Sequence, residues 1–449
     1  MRRFSRAKYI AATVAIACTA VACSSSGKAT TTTAAATVTT TATTVAGGTA
    51  TTAAPTTSAA TATTGAPSAT GAPATTGASA TSAAPTTAAP VVGLPSTKGT
   101  TTAKVMVISD VTQGQIPYTA AETFPAVQLA LKDFPNVVVD VCDAKGDQNE
   151  YLNCQQKAIS EKVNAVVVGF VAGGAAGEDA LYQAGIPVLG GGGTTDPLAY
   201  SFASGNGNYV GLGAGAVLAG AKKIGVLYLE GTDQLVDAIT KGVTFEGGTV
   251  VSKASVANNA PDLAPAIAKL LSDGSELIIL SVAPPAVIQA MTAIIASGKT
   301  PKVAAVSAIL PQQLLDFMKG NAEGIYAISS TMVNAEDSKS MADLLAGVDA
   351  IKPGTALNVQ TVLGFESGYV LATAFNNIKG DVTSANLVAA LNNINGLDLG
   401  GMVGPASTKP LPSKGLERFM NPYAVVYQVK GGKLVKQGDL TDIRGAFAS

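Results

Sequence analysis

The sequence predicts an α/β fold with parallel sheets, and three observations predict it. Short runs rich in Val and Ile recur at 105–108, 137–141, 165–168, 186–189, 224–229, 277–280 and 303–306. Each is bounded by Gly, Asp or Pro, as strands buried on both faces are. Between them, the stretches 119–132, 149–161, 174–184, 233–245, 262–271 and 286–296 carry apolar residues at the three-to-four spacing of a half-buried helix. Strand and helix alternating this often build parallel sheets.

The order of the elements suggests two sheets. The first takes the runs from 105 to 189, and the second begins near Lys223. Asp233 and Asp262 suit helix starts, and Gly185, Gly274 and Gly298 suit helix ends. The chain changes character at its end. An alternating run at 423–429, then Gly431-Gly432, then a return to Lys436 reads as a hairpin at a sheet edge. Gly211, Gly213 and Gly215 look like a fragment of a dinucleotide fingerprint. The residues before them, 203–209, are no strand, and the third glycine comes too early for GxGxxG. The stretch 208–221 therefore reads as a helix packed at the junction of two lobes.

The first 23 residues form a secretory leader: a basic head with Arg2, Arg3, Arg6 and Lys8, a short apolar stretch, and the small residues Ala20, Val21 and Ala22 before Cys23. The apolar stretch is too short to span a bilayer. A cysteine directly after small residues resembles the lipobox of bacterial lipoproteins. That resemblance implies a lipidated Cys23 as the first mature residue and an anchor on the outer face of the bacterial membrane. Arg2-Arg3 lacks the rest of a twin-arginine signal. From 24 to 100 the chain is almost wholly Thr, Ala, Ser, Gly and Pro, and Lys28 is its only charged residue before Lys98. Without aromatics and with few long aliphatic side chains, this segment cannot bury enough surface to offset chain entropy. It reads as a disordered tether, of a composition shared with O-glycosylated stalks. About 75 residues of flexible coil would span roughly 50 Å, enough to hold a domain away from a membrane and through a wall.

The remaining body of about 350 residues can hold two lobes with separate cores. The formal charge of the chain is −1 at pH 7, with no basic run after the leader, so a nucleic-acid surface is not expected. No later segment reaches ~18 uninterrupted apolar residues. The chain has no histidine, which excludes Ser-His-Asp and Cys-His catalysis. Ser367 in 364–368 is offset from GxSxG and lies in a helical stretch, and Gly173-Gly174 lacks the Lys and Ser/Thr of a phosphate loop. The pairs Glu178-Asp179 and Glu336-Asp337 read as solvated faces or helix starts, not acid/base machinery. Cys142 and Cys154 are the only cysteines of the exported body. In an oxidising compartment they are expected to pair. A metal pair is the alternative, for which two thiols without a histidine are a poor set. No metal and no cofactor are expected.

Across the body, an ordered set of motifs resembles the type I periplasmic solute-binding proteins, most closely the branched-chain amino acid-binding (Leu/Ile/Val-binding-like) group that serves ABC importers. These are Val141-Cys142-Asp143 with Cys154 twelve residues on, Ala184-Gly185-Ile186-Pro187-Val188-Leu189, Thr195-Asp196-Pro197-Leu198, Lys222-Lys223-Ile224-Gly225-Val226-Leu227-Tyr228, the stretch 400–404, and the final hairpin. The resemblance implies two Rossmann-like lobes joined by a three-strand hinge. Lobe one would hold 102–220 and 331–418, and lobe two 221–330 and 419–449. Ligands would sit between the lobes at the carboxyl ends of the strands, as in open α/β sheets generally, and closure would trap them by a hinge motion.

Strand ends then supply the candidate site. Tyr118 matches a tyrosine that some relatives place over the ligand. Ala172 and Gly173 follow the third strand where a helix is expected to open, so their N–H groups could hold a carboxylate. Gly193, Thr194 and Thr195 follow the fourth strand and could donate to the same anion. Glu230, Thr232 and Asp233, and Ser281 with Pro284, end strands of the second lobe. Two departures from the amino acid-binding pattern stand out. Gly173 is where relatives carry a serine, and the loop 307–311 has no acid to hold a substrate ammonium. A buried ammonium without a counter-charge would cost several kcal/mol. Either Glu230 or Asp233 replaces that acid, or the guest is not an amino acid; the small apolar loops favour a less charged solute. The expected function is a tethered lipoprotein that traps a small solute and hands it to ABC permease subunits. Three alternatives remain: a sensor subunit of the same fold, a carboxylate-dependent hydrolase on a similar scaffold, and a structural wall protein.

Overall fold

A computed structural model describes residues 93–112, 119–172, 174, 177–202 and 205–448. The leader with Cys23, nearly all of the tether, and the candidate residues Tyr118 and Gly173 lie outside the described residues. Within them the chain is built round two separate sheets.

The first sheet takes β1 (Ala103–Ser109), β2 (Val137–Asp143), β3 (Ala165–Val168), β4 (Val188–Gly190) and β5 (Ala199–Tyr200), in the order β2-β1-β3-β4-β5 and wholly parallel. Its crossovers are α1 (Thr123–Ala130), α2 (Gln148–Ser160) and α3 (Asp179–Gln183). The helix α4 (Gly205–Leu218) follows. The second sheet takes β6 (Lys223–Leu229), β7 (Thr249–Val256), β8 (Leu277–Ser281), β9 (Lys302–Val306) and β10 (Tyr326–Ser329), with α5 (Asp233–Phe245), α6 (Ala264–Ser272), α7 (Pro284–Ala296) and α8 (Gln312–Met318) between them. The chain then lays down α9 (Lys339–Ile351), α10 (Val359–Asn377), α11 (Ser384–Asn392) and the small pair β11 (Asn395–Leu397) and β12 (Ala406–Ser407). It returns to the second sheet through β13 (Tyr423–Lys430), β14 (Lys433–Lys436) and β15 (Thr441–Asp442). The second sheet runs β14-β13-β10-β9-β8-β6-β7, and β13 is antiparallel to both its neighbours. The expected hairpin is present: Lys430 faces Lys433 across Gly431 and Gly432, both at positive φ as a two-residue turn requires.

Every strand-like run of the sequence is a strand here. Among the described residues, six strands escaped the sequence pattern: β5, β7, β10, β11, β12 and β15. β7 alternates buried and exposed positions and carries Ser252, Lys253 and Ser255, because it lies at the edge of its sheet. β5, β12 and β15 have two residues each and β11 three, too short for a pattern to register, and β10, Tyr-Ala-Ile-Ser, has no run of Val and Ile. The stretch 174–184 is a correction. The helix there starts only at Asp179, because Gly177 turns at φ 67° and Glu178 points into the protein.

Three passages join the sheets, seen in how buried residues divide between the cores. Phe202 belongs to the first core and Val210 to another; Met332 and Val333 are on opposite sides; Met420 lies in the first and Phe419 does not. The helix α4, placed before the expected lobe boundary at 220, buries Val210, Leu212, Ala214 and Ala216 with the second sheet's strands. The passages are fastened by side chains. Arg418 is buried, donates from Nε to the Ala199 carbonyl at 2.8 Å, and lies 4.5 Å over the Tyr200 ring.

Cys142 and Cys154 form a disulfide that ties β2 to α2 across 12 residues. Closing a loop of this length removes unfolded-state entropy equivalent to about 3 kcal/mol. The double variant Cys142→Ser, Cys154→Ser is expected to lose about that much in urea unfolding, and dithiothreitol is expected to do the same to the wild type. Equal midpoints for reduced and oxidised protein would show that the bridge adds nothing.

Candidate functional site

The carboxyl ends of β3 and β4 frame a cavity of about 250 Å³. Its walls are Val168 to Ala172, Gly190 to Gly192, Thr123 at the start of α1, and the α10 face formed by Gln360, Leu363, Gly364 and Ser367. An apolar cavity of about 150 Å³ holds a benzene-sized molecule, so the space suits a one-ring or short-chain guest.

Local structure places each of these groups. α10 starts on a capping box: the Asn358 side chain accepts from the Gln360 and Thr361 N–H groups, while Thr361 takes the Asn358 N–H. The Asn358 amide also donates to the Glu122 carboxyl at the start of α1. Burial pushes the Glu122 carboxyl above its ordinary range, opposed by that amide. The two helix starts are thereby locked together, which sets Thr123 beside Gln360. Residues 360, 364 and 367 share one face of α10 because they are spaced four and three apart. The Thr123 hydroxyl is buried and has no hydrogen-bond partner. A buried hydroxyl left unpaired costs about 1–3 kcal/mol, so it is a group ready for a guest's acceptor.

Two carboxylates sit at the strand ends. Asp110 is buried and accepts from the Gly146 and Ala172 N–H groups, both at 2.8 Å. Glu178 is 3% exposed. Its Oε1 accepts from the Tyr151 hydroxyl at 2.9 Å and the Gly192 N–H at 3.2 Å. Its Oε2 accepts from the Gly193 N–H at 3.1 Å and the Tyr182 hydroxyl at 3.3 Å. Burial, reinforced by the Glu178 charge, pushes both phenols far above their ordinary range, which keeps them donors.

Of the candidate residues in the first lobe, Ala172 lines this cavity, while Gly193 and Thr195 line an adjoining hollow that also touches Glu178 and Tyr182. The α-helix after the third strand, α3, begins at Asp179, and the Ala172 N–H goes to Asp110; Gly173, the other residue expected to hold a carboxylate there, lies outside the described residues. The Thr194 hydroxyl donates to the Gly415 carbonyl at 2.6 Å, which fastens a passage between the sheets. In the second sheet, Tyr228 of β6 pairs in register with Ser281 of β8, so Glu230, Thr232 and Asp233 end one strand beside Ser281 and Pro284 on its neighbour. Glu230 and Asp233 are exposed, and Asp233 accepts from Tyr228 at 3.1 Å. Thr232 donates back to the Leu229 carbonyl at 2.7 Å. The Ser281 hydroxyl is buried without a partner. The loop after β9 lines a separate, mainly apolar cavity of about 170 Å³ with Leu310, Leu315, Val333, Leu357 and Val359, beside the passage at Val333.

Sequence reading missed Thr123, Gln360 and Ser367 as site residues, and it read Glu178 as a solvated face or a helix start: Glu178 does stand at the start of α3, but it is buried. For Gln360 and Ser367 the sequence carried no signal, because α10 is buried on nearly every side and shows no polar face. For Glu178 there was none, because its burial follows from donors that lie far along the chain. Among the described residues no group of three or more His, Cys, Asp or Glu could hold a metal ion.

Two parallel-stranded halves threaded by three passages, with a polar-floored cavity at the strand ends, define a bilobal α/β binding protein. The family model described as periplasmic binding protein matches residues 102–433, and the chain belongs to that family, with the type I fold. A substrate-binding protein from Sphaerobacter thermophilus, described as that of an ABC transporter, superposes with a TM-score of 0.64 at 15% identity, covering 77% of this chain and 100% of that one. A leucine-binding protein from Thermotoga maritima does so with a TM-score of 0.61 at 17% identity, covering 76% and 99%. A solute-binding protein of an ABC transporter from R. palustris, solved with 4-hydroxybenzoate, gives 0.60 at 18% identity, covering 76% and 98%. Likeness at these identities establishes the shared fold. No curated protein matches the sequence. The family and fold are those of binding proteins rather than enzymes. Among the described residues no helix is long and apolar enough to cross a membrane.

Proposed function

We propose that the chain is the extracytoplasmic solute-binding lipoprotein of an ABC importer. Lipidated Cys23 anchors it to the outer face of the membrane, residues 24–100 give it reach, and the body presents a loaded, closed state to permease subunits. Its lobes are 102–202 with 331–418, and 205–330 with 419–449, because α4 packs with the second sheet. The guest is a small polar or amphipathic organic molecule held between them without chemical change. On the first lobe it meets Thr123, Gln360 and Ser367 beside Ala172, Gly193 and Thr195; on the second it meets Ser281, flanked by Glu230, Thr232, Asp233 and Pro284. The structural neighbours named for leucine and for 4-hydroxybenzoate support a guest of this size.

The observation that carries the reading is the Thr123 hydroxyl, buried without a partner at the wall of the 250 Å³ cavity. Native mass spectrometry of the full chain from its own host is expected to show a co-purified small molecule, and a chain that retains none and captures none from a metabolite panel would end the reading. Thr123→Val keeps the side chain's shape and removes the unpaired hydroxyl. Its empty form is expected to be as stable as the wild type or more so, while guest affinity falls by roughly 1–2 kcal/mol, about tenfold. Calorimetric titration against urea unfolding separates the two effects. A loss of stability with unchanged affinity would make Thr123 a packing residue.

A further inference from the structure

The backbone donors after β3 and β4 are where an anionic guest would be held, and the chain fills them itself. Ala172 N–H goes to Asp110, and Gly192 and Gly193 N–H go to Glu178. Each Glu178 oxygen takes one peptide N–H and one phenol, so the carboxylate has four donors and its acceptor sites are full. No ion pair to Glu178 or Asp110 occurs among the described residues. Glu178 lines the cavity wall, and Asp110 is held to Ala172 of the same wall.

We infer that Glu178 is a built-in occupant of an anion seat, and that the solute therefore enters the first lobe with an uncharged or cationic group, not a carboxylate. This rests on the solute-binding reading and narrows its substrate class. An incoming carboxylate would find the Ala172, Gly192 and Gly193 N–H groups already taken and would be pressed against two like charges. What the cavity offers instead is neutral: the free Thr123 hydroxyl, the Gln360 amide and the Ser367 hydroxyl, among Val167, Val168 and Leu363. An alcohol, amide, carbonyl or ether matches these groups.

The seat can be emptied. Glu178→Ala removes the carboxylate and leaves its four donors facing a space that acetate fills. In thermal unfolding of the full chain, acetate is expected to raise the midpoint of Glu178→Ala by several degrees, acetamide at equal concentration much less, and neither is expected to move the wild type, since only a ligand that binds the folded state stabilises it. If the variant fails to fold alone, its refolding yield in acetate against acetamide reads the same property. Glu178→Gln keeps the volume, so it should unfold at a lower temperature than wild type and stay indifferent to acetate. Acetate that stabilises wild type as much as Glu178→Ala, or an alanine variant indifferent to acetate, or a glutamine variant as stable as wild type, would each overturn the seat. For the guest, benzoate and benzamide are the paired probes, alongside the molecule identified by mass spectrometry. Tighter binding of benzoate than benzamide to wild type, or a co-purified guest whose carboxylate enters the first lobe, would overturn the substrate class. A chain that holds no guest at all would sink solute binding while leaving the acetate result standing.

Discussion

Gly242→Ala is expected to destabilise the protein by more than about 3 kcal/mol, although alanine is the better helix former. Helix propensity alone would favour the change by about 1 kcal/mol. Packing decides otherwise. A methyl on Gly242 of α5 would fall on the Val210 carbonyl oxygen of α4, and one on Gly213 of α4 would fall on the Ile239 carbonyl oxygen of α5. Both obstacles are backbone, which cannot swing aside as a side chain can. The two helices would have to separate, opening the buried layer of Val210, Ala214, Ile239 and Val243, and overpacking of this kind costs 1–3 kcal/mol or more. Gly213→Ala should behave the same way. Urea midpoints check this, and an unchanged or higher midpoint for Gly242→Ala would mean that the helices do not meet as closely as described. Because α4 is also the first passage between the sheets, the loss should extend to the geometry of both halves.

The second large effect concerns Glu366, in the middle of α10. Its side chain is 1% exposed and its Oε2 has no partner. Burial pushes its carboxyl well above the ordinary range. The nearby ionisable group is Tyr423, whose own phenol is raised by burial and partly offset by the Arg444 guanidinium. The sign follows from linkage. Between the ordinary glutamate range and the raised folded value, the native state holds a proton that the unfolded chain has released. Stability is therefore full at acid pH and falls as pH rises through that window, by about 1.4 kcal/mol per pH unit from this one group. Above the folded value the loss levels off. Glu366→Gln cannot titrate and is close in volume. It is expected to be more stable than wild type at neutral pH, with the difference shrinking as pH is lowered towards the ordinary glutamate range. Urea unfolding of both proteins at a series of pH values reads the difference, in which contributions from Glu122 and other carboxyls cancel. Parallel curves would show that Glu366 is not held neutral in the fold.

Much of the architecture was legible because it is local. Val167 and Leu280 belong to short Val/Ile runs with turn residues on either side, and that pattern is the signature of a strand covered on both faces. Gly431-Gly432 between alternating runs can make little but a tight turn. Asp147, whose carboxylate accepts from the Asn149 and Glu150 N–H groups at the start of α2, needs only its next few neighbours to act. β7 was missed because an edge strand does not carry the buried pattern; the helical stretch read around Ser367 is α10, whereas α9 and α11 lie where the sequence reading proposed no elements. α10 is buried on nearly every side, so it shows no polar face.

The site divides along the same line. Composition and the order of motifs were enough to point to the strand ends as the candidate site, to exclude histidine from it, and to pair Cys142 with Cys154, because each of these depends on residue type or short spacing. Whether a given donor is free depends on what another part of the chain does with it. Thr194 meets Gly415, Ala172 meets Asp110, and Glu178 meets Tyr151, Tyr182, Gly192 and Gly193 only after the sheet has formed. A hydrogen bond has a range of about 3 Å, and distance along the chain carries no information at that scale once it has folded back. The sequence by itself determined the class of fold; the tertiary structure alone decided which polar groups at the strand ends are satisfied from within and which are left without a partner.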